Sequence, residues 1–525
     1  MKERTISFLR SSDNRIYILF FILAVLVLSL GMSKYGIGLY SDSFTYVNCA
    51  ENLVDGQGFL HRDGSWYHQW APLLPFVLAG PMFVGIPPDI IGMVLNLLLF
   101  GSLVVITGKI VQLKTRSRFF TISVMALVVL SRPLYVSSIY LLSELPFNVL
   151  ALVSLLSLLL YLEKDRRKYF WYLVLFTSLA CLTRYIGITL IFTGVVVLFF
   201  HGKEKKFINR LKDPFLFGAL SPLPTVIFLV RNYIRTGTLI GERFPSETGI
   251  LENVYRTGYH LIHWFIPRWL PPSVWVPLGS VLVLIFIVLI GNLLYSISRS
   301  KENRKIVIIF GYFSVFYMVY LLFSASRVAF DPLNDRFFSP VFAPIMIMLI
   351  LSLRELFRYP SRSPISKFKM MHFRGRSIRR LISVLMVLII AASGLVVFTE
   401  IRENAVHGAG GYTTTEWVES DILEYISKNP LDGKIYSNFP HQVDHYSGIE
   451  NVEGTPLKYY QATTKPADGL EEFNETIEGQ ENVTIIWISI KERDWYYSLD
   501  ELRKVYNLTP VKRFSDGQIY SLTGN

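Results

Sequence analysis

Pro72-Leu-Leu-Pro75-Phe-Val-Leu-Ala-Gly-Pro81-Met-Phe-Val-Gly-Ile86 is apolar enough to enter a bilayer, and whether it crosses decides the orientation of the chain. A hydrocarbon core of about 30 Å takes about 20 residues of helix at about 1.5 Å each, and this run is shorter. Its prolines remove backbone donors and break helical continuity. Both features favour a dip that enters the membrane and returns on the same side.

Eleven further apolar runs are read as spans: 16–33, 90–111, 119–140, 145–162, 169–183, 187–201, 214–231, 274–297, 305–324, 338–353 and 381–399. The first follows a basic terminus (Lys2, Arg4, Arg10, Arg15) and ends in Lys34-Tyr35 with no small-residue cleavage site, so it reads as a retained span. With 72–86 as a dip, the clusters Lys114/Arg116/Arg118, Lys164/Arg166/Arg167/Lys168, Lys203/Lys205/Lys206/Arg210, Arg299/Lys301/Arg304/Lys305 and the Arg354–Arg380 run share one side with the N-terminus. Positive residues mark the cytosolic side. The expectation is a polytopic α-helical membrane protein of about 11 transmembrane helices, multi-pass in the plasma membrane. Its N-terminus is cytoplasmic, and a small C-terminal α/β domain is extracytoplasmic.

Composition agrees: half the residues are hydrophobic and the mean hydropathy is +0.39. The net charge of +12 conceals an asymmetry, because residues 400–525 hold 11 Lys and Arg against 21 Asp and Glu. The excess of basic residues lies in short loops between apolar runs, where it signals topology and headgroup contact and argues against nucleic-acid binding. Cys49 and Cys181 form no metal-binding spacing. The division expected is a membrane domain over 1–400, with outer loops 34–89 and 232–273, and an outer domain over 401–525. The latter follows a glycine-rich hinge, His407–Gly411. It reads as a helix from Thr415 to Ser427, strands at Lys434–Ser437 and Val483–Ser489, a helix from Leu499 to Tyr506 and a strand at Gly517–Leu522. Its three sequons, at Asn474, Asn482 and Asn507, fit an exterior location, and it shows no catalytic signature.

That orientation gathers several charged residues on the outer face. Asp42, in Ser41-Asp42-Ser-Phe-Thr-Tyr46, begins an amphipathic stretch that also carries Cys49 and Leu53; read alone, Asp42 is a helix N-cap. Glu144, in Ser143-Glu144-Leu-Pro146, lies where a carboxylate is expensive without a partner or a task. Arg184, Arg231, Arg243 and Arg336 recur at outer helix ends, where arginine either snorkels to lipid phosphate or forks onto a phosphate ligand.

In order, the segments Ser41–Phe59, Trp70–Pro75, Ser143–Pro146, Leu182–Gly187, Arg231-Asn-Tyr with Gly237 and Gly241, and Asp335-Arg336-Phe-Phe with Pro340 resemble the glycosyltransferase-C superfamily. Within it they look like the bacterial and archaeal membrane glycosyltransferases related to protein O-mannosyltransferases and aminoarabinose transferases. The resemblance spans most of 16–355. It implies a hexosyltransferase-like enzyme that moves a sugar from a polyprenyl- or dolichyl-phosphate donor to a glycan, lipid or protein acceptor, with inversion. It implies Asp42 as catalytic base and Glu144 as a second catalytic carboxylate, at a position where relatives often carry Asp. It implies Arg184, Arg231, Arg243 and Arg336 as donor-phosphate ligands, and Tyr46, Asn52, His68, Tyr185 and Asp335 as acceptor or sugar contacts. Asp42-Ser replaces the Asp-Glu pair of protein O-mannosyltransferases, which speaks against protein mannosylation. No metal ligand is assigned, and a divalent metal remains open. The competing readings are a lipid or solute transporter or flippase, which needs polar groups along a path through both leaflets, and a non-catalytic scaffold for the outer domain.

Overall fold

The computed structural model of the 525-residue chain describes residues 12–202, 206–299, 303–358, 375–449, 452–461, 463–480 and 482–522. Lys2, Arg4, Arg10, Lys203, Lys205, Lys301 and the stretch 359–374 of the basic run lie outside the described residues.

The apolar runs become helices α1 (Ser12–Gly31), α2 (Ser41–Val54), α3 (Leu73–Met82), α4 (Pro88–Thr115), α5 (Arg118–Val129), α6 (Arg132–Ser138), α7 (Glu144–Lys164), α8 (Arg167–Thr183) and α9 (Ile188–His201). They continue with α10 (Phe207–Leu220), α11 (Leu223–Thr236), α12 (Ile250–Ile262), α13 (Pro272–Arg299), α14 (Arg304–Ala325), α15 (Asp335–Arg358) and α16 (Gly375–His407). Seven are long and apolar enough to cross a membrane, and two bent pairs raise the number to as many as nine among the described residues. The chain is a multi-pass membrane protein.

The dip is helix α3, and its 10 residues reach about 15 Å, half a hydrocarbon core. Two expected straight spans are instead broken. The run 119–140 is α5 and α6, bent by 52° where Arg132-Pro133 starts a new helix capped by the Ser131 hydroxyl. The run 214–231 belongs to α10 and α11, bent by 40° at Pro222. The runs 169–183 and 187–201 are α8 and α9, helices of 17 and 14 residues, shorter than a full crossing.

Helix α15 sits at the centre, with 89% of its apolar window buried, whereas α13 is peripheral at 11%. Close packing relies on small residues: a Cβ at Gly101 of α4 would stand 2.6 Å from the Phe21 ring of α1.

Beyond α16 lies a mixed five-stranded sheet. Its strands are β1 (Lys434–Ser437), β2 (Glu453–Gly454), β3 (Val483–Ile488), β4 (Leu508–Arg513) and β5 (Gly517–Leu522), in the order β2-β1-β3-β5-β4. β1 runs parallel to β2 and β3, while β5 is antiparallel to β3 and β4. Alternation along β3 sends Ile486 and Ile488 to a core with Trp417, Ile422 and Val443, and Ile485 to a second core with Phe473 and Tyr520. Both sheet faces are therefore covered by helices, as the α/β reading expects. The expected helix from Thr415 to Ser427 is split into Thr415–Val418 and Asp421–Lys428, because the Ser420 side chain caps a new start by accepting from the Leu423 amide.

The glycine-rich segment 407–411 is not a loose hinge. Gly411 bridges Leu39 as a short parallel pair, and the Tyr412 amide donates to the Leu39 carbonyl at 2.8 Å. The Phe44 ring meets Tyr412 at 6.0 Å and His445 at 5.2 Å, and Arg62 pairs with Asp444 at 2.8 Å. A second contact stacks Phe244 on Tyr460 at 4.3 Å. Gly411 has φ +65° and a Cβ there would collide with the Leu39 carbonyl. Gly411→Ala is expected to cost about 1–3 kcal/mol, read as a lower Tm and faster proteolysis between the membrane helices and the sheet.

Candidate active site

The first turn of α2 explains why Asp42 is available. Ser43 does the capping: its hydroxyl oxygen accepts from the Tyr40 amide at 2.9 Å and its proton goes to the Leu141 carbonyl at 2.8 Å. Tyr40, not Asp42, is the N-cap residue. The helix does not lie bare on the membrane surface, since Phe44, Thr45, Tyr46, Cys49 and Ala50 are buried against the chain. Asp42 is half-buried and, among the described residues, makes no hydrogen bond or ion pair. Burial pushes its carboxyl above the usual carboxylate range; Arg336 and more weakly Arg184 oppose that rise, while Glu144 and Asp331 add to it.

Glu144 opens α7 at 3% exposure. The helix N-terminus favours its charge, and Arg184 grips Oε1 at 2.7 Å with Arg336 at 3.9 Å. Its Oε2 is buried without a hydrogen-bond partner. Arg184 also donates to the Ser143 hydroxyl at 3.0 Å, and the Tyr46 hydroxyl donates to the same oxygen at 3.3 Å. Arg336 extends to Asp331 at 2.7 Å. The result is one connected set: Tyr46, Ser143, Arg184, Glu144, Arg336 and Asp331, with Asp42 beside it.

The four arginines are used differently. Arg184 and Arg336 are bound to carboxylates. Arg231 donates to the carbonyls of Tyr67 at 2.7 Å and Phe59 at 3.0 Å and lies against the Trp66 ring at 5.0 Å, so it staples the first outer loop to α11. Arg243 is exposed, donates only to the Gln69 carbonyl at 3.2 Å, and has no carboxylate partner among the described residues. Partial desolvation lowers its guanidinium pKa, and the Asp42 carboxylate opposes that fall.

Of the expected acceptor or sugar contacts, Tyr46 and Tyr185 stand at this cluster, the Tyr185 hydroxyl donating to the Trp70 carbonyl at 3.2 Å. Asn52 donates to the Leu60 and His61 carbonyls at 3.0 and 2.9 Å, and His68 Nδ1 lies against the Trp66 carbonyl, so both shape the loop. Asp335 belongs to a separate cluster with Arg132, Arg268 and His260. Among the described residues no group of three or more His, Cys, Asp or Glu side chains is placed to hold a metal ion. Sequence reading missed Asp331 and Ser43. Asp331 lies in the loop between two expected spans, 305–324 and 338–353, and Ser43 carried a capping signal assigned to its neighbour.

Asp42 and Glu144 separate in a stability experiment. Replacing Glu144 by Gln leaves the half-buried Arg184 without its carboxylate partner, while Arg336 keeps Asp331, so a loss of about 3 kcal/mol is expected in detergent-solubilised protein. Asp42 carries the opposite sign. A raised carboxyl pKa means that the folded state favours the neutral form, so stability falls as pH rises through the folded value. Asp42→Asn is therefore expected to hold or raise Tm at pH 7, checked by the same melting assay.

No protein-family model and no curated protein sequence matches the chain. Solved structures do. The crystal structure of ArnT from Cupriavidus metallidurans in the apo state aligns with TM-score 0.63 and 12% identity over 97% of this chain and 98% of that one. The same protein bound to undecaprenyl phosphate aligns with TM-score 0.59 and 12% identity over the same shares, 97% and 98%. The archaeal oligosaccharyltransferase AglB from Archaeoglobus fulgidus, in complex with an inhibitory peptide and a dolichol-phosphate, aligns with TM-score 0.55 and 10% identity over 97% of this chain and 74% of that one. Over nearly its whole length the chain has the glycosyltransferase-C-like membrane fold of these solved structures.

Proposed function

We propose that the protein transfers a sugar from a polyprenyl-phosphate-type donor to an acceptor at the outer membrane face, with Asp42 as general base. The observation that carries this reading is Asp42 itself. Among the described residues it is a half-buried carboxylate with no hydrogen bond or ion pair, within electrostatic reach of Arg243, which has no ion-pair partner there. ArnT bound to undecaprenyl phosphate and AglB with a dolichol-phosphate share the fold and support a lipid-phosphate donor.

The chemistry is a single displacement. The acceptor O–H or N–H gives its proton to the Asp42 carboxylate as the acceptor atom bonds to the anomeric carbon. The bond from that carbon to the phosphate oxygen breaks, its electron pair stays on the lipid phosphate, and the anomeric centre inverts. Arg243 is the cation left free for the phosphate, and Arg336 and Arg184 add positive field to the charge that grows there. Glu144 acts through these two arginines, holding both from its Oε1. The raised Asp42 pKa suits a base working nearer neutrality. The N-terminus lies in the cytosol, and residues 401–525 form an outer domain roofing the site; the basic ends of α4 and α7 lie opposite the Asp42 end of the bundle.

Transfer from a radiolabelled polyprenyl-phosphate sugar in native membranes tests the reading. Asp42→Asn is expected to lose about 10²–10⁴-fold in rate, and full activity in the folded variant sinks the assignment. Arg243→Gln is expected to weaken donor binding by about 10-fold or more, seen as a raised donor KM, because a charge-assisted contact is worth about 1.5–3 kcal/mol. The pH profile gives a third check. Arg336 is the strongest charge holding the Asp42 pKa down, so Arg336→Gln is expected to move the acid limb of the rate to higher pH.

A further inference from the structure

We propose that Asp335 is a positioning residue: by drawing Arg132, Arg268 and His260 onto one carboxylate, it fixes the first turn of α15 and so aims its neighbour Arg336 at Glu144 and Asp42. The inference deepens the reading of Asp42 as base and rests on it for its catalytic meaning.

Asp335 has no face left for a substrate. Its residue is 3% exposed; Oδ1 meets His260 Nδ1 at 3.1 Å, and Oδ2 takes Arg268 at 2.7 Å together with Arg132. Arg132 continues to Glu400 of α16 at 2.8 Å. One carboxylate thus ties α15 to α6, to α12 and to the segment entering α13, and through Arg132 to α16. Each of these elements is positioned independently by the bundle, so the carboxylate has one direction in which to point.

The first turn of α15 depends on such outside support. Pro340 has no N–H, so the Arg336 carbonyl lacks its helical donor, and the Ser339 hydroxyl donates to it instead at 2.8 Å. The Asn334 side chain accepts the Arg336 amide at 3.1 Å, and the Tyr317 hydroxyl donates to the Phe337 carbonyl at 2.8 Å. Consecutive helical residues project about 100° apart. With Asp335 fixed toward Arg132, Arg336 is left directed to the other side, where it meets Glu144 at 3.9 Å and Asp331 at 2.7 Å. Two adjacent residues of opposite charge therefore serve two separate clusters, and the rotation of one sets the place of the other.

The charges facing Asp42 are Arg336, Glu144, Asp331, Arg184 and Arg243, so a displaced Arg336 is read directly from the Asp42 titration. In the full-length protein in membranes, the Asp42 carboxyl stretch is titrated by infrared difference spectroscopy and assigned by its loss in Asp42→Asn. Asp335→Asn is expected to move the midpoint up by about one pH unit. Arg336→Gln is expected to do the same, and the double variant to go no further. Arg268→Gln, a milder change at a partly exposed partner, is expected to give a smaller shift in the same direction and decides the matter where Asp335→Asn does not fold. A folded Asp335→Asn, or failing that a folded Arg268→Gln, whose Asp42 midpoint stays in place overturns the proposal. An unmoved midpoint with transfer lost makes Asp335 a substrate contact instead. The titration needs no turnover, so a chain that transfers no sugar fails the base assignment without obscuring this result.

Discussion

The Asp42 end of the bundle depends on the Glu144 carboxylate buried between the Arg184 and Arg336 guanidinium groups. Taking three charges out of water is costly, and their mutual attraction offsets the cost only when geometry is fixed and further hydrogen bonds are made. Three features supply that: the N-terminus of α7, the Ser143 hydroxyl on Arg184, and Asp331 on Arg336. The same pairing joins α7, the turn after α8 and the start of α15. Helices that could otherwise slide in lipid, where no hydrophobic force drives them together, are held at one level on one side.

This arrangement gives two carboxylates opposite situations. Glu144 is paired through Oε1 with two guanidinium groups, while its Oε2 is buried without a hydrogen-bond partner. Asp42 is left beside it without a partner, because Ser43 has taken over the capping of α2. Burial of the acid raises its proton affinity, and Arg336 limits how far. The C-terminal sheet adds a roof, fastened at Leu39–Gly411 on one side and at Phe244–Tyr460 on the other. The second fastening lies one residue from Arg243, which has no carboxylate ion-pair partner among the described residues.

Much of the membrane part was legible in the sequence. Every apolar run that reads as a span coincides with a helix, and the proline-rich run 72–86 is too short to cross, as its length and prolines imply. The bends were not legible as bends. Apolar residues run on through Ser131-Arg132-Pro133 and Ser221-Pro222, and composition cannot show that helices α5 and α10 stop there while the run continues. In the outer domain, β1, β3 and β5 were readable because each alternates or is strongly apolar. β4, nearly all of it exposed, and the two-residue β2 have too little buried pattern to announce themselves.

The sequence by itself determined a bilayer-embedded chain, its central apolar helices and the gathering of Asp42, Glu144 and the arginines at one end, because hydrophobic length and the side of each charge follow from order along the chain. Only the tertiary structure decided what each charge does. Arg184, Arg231, Arg243 and Arg336 look alike as letters, yet two neutralise Glu144, one staples a loop and one remains free. Asp335 and Arg336 are neighbours, yet they serve separate clusters. Pairing is set by distances between residues far apart in sequence, at energies that fall off within a few ångströms once solvent enters, and no local pattern records those distances.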